Sequence, residues 1–65
     1  MKTETQTDAA RIAEYLREHG YNSPREIASD LGMDEAQYSM AVRDIPGYRS
    51  GIRPDSYGHS VAWLA

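Results

Sequence analysis

Apolar residues along this chain recur at helical spacing up to Ile45 and at alternating spacing beyond it, and the change of period falls at Pro46. From about Thr7 to His19, Ala9, Ile12, Ala13 and Leu16 return at intervals of three and four, while Arg11, Glu14, Arg17 and Glu18 occupy the remaining faces. That spacing predicts an amphipathic helix. A threonine in front of it is a natural N-cap, and His19 in the last turn suits the negative end of the helix dipole before Gly20 ends the element. Residues 1 to 6 are polar and read as a frayed end. Tyr21 and Asn22 read as a two-residue link.

Residues 23 to 45 spell two further short helices folded around Gly32. Ser23 is an N-cap, Pro24 stands at the position that needs no N–H, and Glu26 is placed to reach back to the cap, which together predict a full capping box. Ile27, Ala28 and Leu31 share one stripe. Gly32 can take the left-handed conformation that ends a helix, and Asp34 then caps the next helix with Gln37 as its box partner. Met33 before that cap can staple onto Tyr38. So tight a turn predicts helices packed at a steep angle, the pattern of a helix-turn-helix.

Pro46 cannot continue the third helix and pushes Ile45 toward extended geometry. Tyr48 to Arg53 and His59 to Leu64 have strand character and are separated by Pro54-Asp55-Ser56-Tyr57-Gly58, a run of turn formers. A two-stranded hairpin is predicted, with Val61 and Trp63 on one face and Ser60 and Ala62 on the other, Trp63 closing the core beneath it. The fold class is therefore α+β, mostly α, in one domain spanning 1 to 65.

At 65 residues the chain is near the lower limit for independent folding. It has no room for a catalytic cleft with its own walls. Without cysteine it has neither a disulfide framework nor a thiolate zinc site. The two histidines, His19 and His59, lack the spacing of helical metal ligands, and phosphate-loop and nucleophile motifs do not occur. We therefore expect no enzyme and no cofactor. Neither a signal segment nor a membrane span is legible, so a cytoplasmic protein with no membrane partner is expected. The formal charge of −3 runs against nucleic-acid binding, yet Arg43, Arg49 and Arg53 follow a body in which Lys2, Arg11, Arg17 and Arg25 face eight carboxylates.

Three helices and a hairpin, with Glu26-Ile-Ala-Ser-Asp-Leu-Gly-Met-Asp-Glu-Ala-Gln-Tyr38 at their centre, resemble the winged helix-turn-helix family over roughly residues 8 to 64. Its members are typically small transcription regulators, phage or plasmid control proteins and excision factors. The resemblance implies that the third helix enters the major groove of double-stranded DNA while the hairpin, the wing, rests on the backbone or minor groove. Carried onto this chain, Ala28 and Gly32 match the packing and turn positions and Tyr38, Val42 and Ile45 the buried side of the third helix. Glu35, Ala36, Ser39, Met40 and Arg43 match its outward side. Two departures stand out: the outward side carries one cation behind Asp34 and Glu35, and Tyr38 replaces an aliphatic residue.

Arg43 is suited to a guanine edge or a phosphate, with a surface pairing to Asp44 as the plainer alternative. Arg49 and Arg53 suit phosphate, and otherwise serve as charged guards of a sheet edge. Arg25 sits at the start of the second helix, where a phosphate would reverse the cost of its charge against the dipole. Tyr57 at the loop tip is a candidate exposed contact for DNA or protein. With so few phosphate contacts per copy, a homodimer or cooperative array is expected. The rival reading is a protein-interaction module that docks through the acidic body, Met40 and Tyr57 on a polymerase subunit or a repressor. A DNA mimic fits less well, because arginines interrupt the carboxylates.

Overall fold

The structure, a computed structural model, describes residues 7–65, so the reading of residues 1 to 6 lies outside the described residues. Helix α1 (Asp8–His19) is followed by a short strand β1 (Tyr21–Asn22), helices α2 (Pro24–Leu31) and α3 (Glu35–Val42), and strands β2 (Tyr48–Ile52) and β3 (Ser60–Leu64). The strands form one antiparallel sheet in the order β1-β3-β2. The class is α+β with helix predominating. No helix of the described residues is long and apolar enough to cross a membrane.

Each helix begins where its cap dictates. Thr7 Oγ1 accepts from the Ala10 N–H at 3.1 Å, and Ser23 Oγ from the Glu26 N–H at 3.2 Å. The box expected at the start of α2 is not closed by Glu26, because Asn22 Oδ1 takes the Ser23 N–H at 2.8 Å. Its Asn22 amide also donates to the Tyr15 hydroxyl at 2.9 Å, and that hydroxyl donates to Asp30 at 2.6 Å, so one chain of polar contacts joins α1, β1 and α2. Hydrogen bonding to Asp30, ahead of desolvation, holds the Tyr15 phenol above its ordinary value.

Gly32 ends α2 at φ 71°, ψ 30°, in the left-handed region, and its N–H returns to the Ala28 and Ser29 carbonyls. The Arg11 guanidinium donates to the Leu31 carbonyl at 2.8 Å, placing a cation on unpaired acceptors at the end of α2. Helix α3 stops at Val42 rather than at 45. Asp44 and Ile45 bond back to Ala41 and Val42 in a tightened turn, consistent with the restriction Pro46 places on its predecessor.

Ile12, Leu16 and Ile27 are fully buried at the centre of the core, with Ala28, Met33, Tyr38, Ala41, Ile45 and Ala62 around them. Met33, before the α3 cap, and Tyr38, in its first turn, are both buried in the same core cluster. The link at Tyr21 and Asn22 is in fact a strand: Tyr21 faces Trp63 and Asn22 faces Ala62, which makes the sheet three-stranded rather than a lone hairpin. A run of two residues carries no alternation by which sequence could reveal it. The sheet also turns the other face inward. Ala62, with Leu64 and Tyr48 partly buried beside it, packs on the helices, whereas Val61 and Trp63 lie outside that cluster. Small Ala62 lets the sheet approach the helices closely, leaving the indole for the opposite face.

Candidate functional site

Helix α3 presents its outward residues at the three- and four-residue spacing of one helix face. Ala36, Ser39, Met40 and Arg43 are exposed, Met40 to 68%. Gln37 is committed to the cap: its amide oxygen accepts the Asp34 N–H at 3.1 Å, and Asp34 accepts the Gln37 N–H at 2.7 Å. Asp34, Glu35 and Asp44 surround this face with negative charge, and Arg43 at the C-cap is its single cation.

Glu35 and Ser39 turn toward a groove of about 790 Å³ between α3, α2 and β2, whose walls include Arg25, Ser29, Val42 and Ser50. At one side of it the Tyr38 and Tyr48 hydroxyls meet at 2.7 Å, with the rings edge to face at a centroid distance of 6.4 Å. Burial is the main force raising both phenols above their ordinary value; the mutual hydrogen bond raises Tyr38 further and acts in the lowering direction on Tyr48. Both are neutral at physiological pH. The pair ties α3 to β2 and holds the two walls of the groove in one relation.

The arginines divide by use. Among the described residues, Arg25, Arg43 and Arg49 have neither an ion-pair nor a hydrogen-bond partner on their side chains. Arg53 is engaged. Its guanidinium carbon lies 5.0 Å from the ring centres of both Tyr21 and Trp63, and its Nε is 3.4 Å from Asp55 Oδ1. A cation held over two aromatic faces is a packing element. Its backbone is fixed as well, since Ser56 Oγ accepts the Arg53 N–H at 3.0 Å and donates to the Arg53 carbonyl at 2.8 Å. The strands are a residue shorter at the loop than their sequence suggests, because Arg53 and His59 both serve this turn. Tyr57 follows at φ 54° and is 92% exposed.

The nominated residues thus fall into separate groups. Arg25, Glu35 and Ser39 share the groove, and Arg25 and Tyr57 flank a second depression near Tyr21, Asp55 and His59. Met40 borders a third beside the start of α1, with Asp8, Gln37 and Asp44. Arg49 stands opposite Trp63 on the sheet face turned from the helices. Ser29 and Ser50 were not among the nominated residues, although both line the groove; the alternation that buries Tyr48 also sends Ser50 to the same side. His19 stacks on Tyr15 at 4.1 Å, and His59 lies in the hairpin loop. Among the described residues no three His, Asp or Glu side chains gather where they could hold a metal.

The chain matches no family model, and comparisons with curated proteins and with solved structures return no match.

Proposed function

We propose that this protein is a sequence-specific binder of double-stranded DNA of the winged helix-turn-helix type, regulating by binding alone. In this reading α3 enters the major groove, Arg43 and Ser39 meet base edges, and Arg25 and Arg49 meet the flanking phosphates. The supporting observation is the capped α2–α3 pair turned at left-handed Gly32, with the outward side of α3 exposed and, among the described residues, Arg25, Arg43 and Arg49 left without ion-pair or hydrogen-bond partners. Arg53 contributes little to phosphate binding, because its charge is already spent on Tyr21, Trp63 and Asp55.

A second reading, a protein-interaction module, draws on the acidic rim of α3 and on exposed Met40 and Tyr57. Selection of bound sequences from a random duplex pool, at a stated salt concentration, separates the two. Enrichment of one motif supports DNA recognition. No enrichment, with a protein co-purifying through Met40 or Tyr57, supports the second reading.

A further inference from the structure

Among the described residues the sheet leaves one long edge open. Strand β3 is central, β1 on one side has only two residues, and β2 on the other has five with no proline among them. The ladder itself shows which backbone groups face outward. Ala65 donates its N–H to the Gly47 carbonyl at 2.7 Å, one step beyond the Tyr48–Leu64 pair. Hydrogen-bonded and non-hydrogen-bonded pairs alternate along an antiparallel ladder, so Arg49–Trp63 and Gly51–Val61 exchange the bonds to β3. Tyr48, Ser50 and Ile52 then direct their backbone groups away from β3. The Tyr48 N–H turns back to the Ile45 carbonyl, which leaves the Tyr48 carbonyl and both groups of Ser50 and Ile52 on the open edge.

We propose that two copies of this chain associate by antiparallel pairing of β2 with β2, on a two-fold axis at Ser50. The sequence of the strand complements itself in that register. Ser50 meets Ser50 of the other copy, small enough for close approach. Arg49 meets Gly51 of the other copy, where no side chain obstructs it and the two arginines are not directly opposed. Tyr48, half-buried, meets Ile52 of the other copy, which in one copy alone is 69% exposed. Mutual bonds at Ser50 and bonds from each Ile52 N–H to the opposite Tyr48 carbonyl satisfy the edge apart from the Ile52 carbonyl, which stays open to water. A second copy is favoured over an unrelated strand because each residue of β2 finds a fitting partner in β2 itself.

The axis runs through the sheet, so the helices of both copies lie on one face of a six-stranded sheet. An edge contact this short buries well below the roughly 1,200 Å² of a stable complex, so association is reversible and concentration-dependent. It does not depend on DNA.

Sedimentation equilibrium of the full chain without DNA, from micromolar to about 1 mM, reads the dimer directly, and amide hydrogen exchange at Ser50 and Ile52 reads its register. The expected result is a monomer–dimer equilibrium with exchange at those two amides slowing as concentration rises. Ser50→Pro removes the outward N–H and leaves the bonds to β3, a position where an edge strand tolerates proline, and should give a folded monomer. Ile52→Lys, at an exposed site, should weaken association without loss of the fold and decides the matter if Ser50→Pro does not fold. A chain that stays monomeric across this range, or a dimer that persists unchanged in folded Ile52→Lys, would overturn the proposal.

Discussion

The Tyr38–Tyr48 hydroxyl pair sets up a double-mutant cycle with a definite expected sign. Either phenylalanine substitution removes one hydroxyl and leaves its partner without the 2.7 Å contact. A buried polar group left unmatched costs about 1 kcal/mol or more, whereas removing both members together is close to neutral. We therefore expect Tyr38→Phe and Tyr48→Phe each to destabilise by about 1 kcal/mol and the double variant to be close to neutral, a coupling of about 2 kcal/mol. In a domain of 65 residues each single change corresponds to a fall in Tm of about 4–8 °C. Urea unfolding followed by circular dichroism gives the four free energies.

The same pair has an alkaline signature. Burial raises both phenols in the folded protein. Above the ordinary tyrosine value of about 10, the folded chain retains protons that the unfolded chain has released. The stabilisation is complete below that pH and declines as pH rises toward the folded values. The double variant should lose stability less steeply in this window than the parent. Additive single costs, or equal alkaline slopes in parent and double variant, would refute the view that these hydroxyls depend on each other.

Gly32→Val should destabilise by about 2 kcal/mol through the left-handed backbone alone, since a Cβ there meets nothing within 4 Å; thermal melting against Gly32→Asn, which should cost less, tests it. Arg43→Ala should weaken binding to a selected duplex by about 1–3 kcal/mol and relax preference at one base position, read from titrations of single-base variants. Arg49→Ala should lower affinity for all duplexes alike and flatten the slope of log affinity against log salt by roughly 0.9, with the melting temperature unchanged. Arg53→Ala should do the reverse, costing about 1 kcal/mol of stability through the lost contact with Tyr21 and Trp63 and leaving that slope nearly as it was.

The parts of the fold written in local chemistry were legible. Thr7, Ser23 and Asp34 cap where their side chains allow, Gly32 turns left-handed, and Pro46 closes the helical half. What pairing decides was not. Tyr21 and Asn22 become a strand only because Trp63 and Ala62 lie alongside, and no pattern two residues long announces that. The facing of β3 is hidden for a related reason: alternation separates Val61 and Trp63 from Ala62 and Leu64 but does not say which set meets the helices. At the candidate site, exposure of the α3 residues followed from their spacing with Tyr38 and Ala41. The engagement of Arg53 could not follow, because its partners lie on strands more than a turn away in sequence.

The locked base of the hairpin loop bears on what kind of contact Tyr57 can make. Ser56 clasps Arg53 at both backbone atoms, and the Tyr21 hydroxyl reaches the Asp55 carbonyl at 3.3 Å. These bonds order the segment before any encounter. An aromatic ring carried on a loose loop would forfeit much of its contact energy to the freezing of backbone torsions, whereas here that entropy has already been removed by folding. The tip can therefore act as a fixed probe, selecting among surfaces by shape, and it gives up the ability to remodel itself around ill-fitting ones.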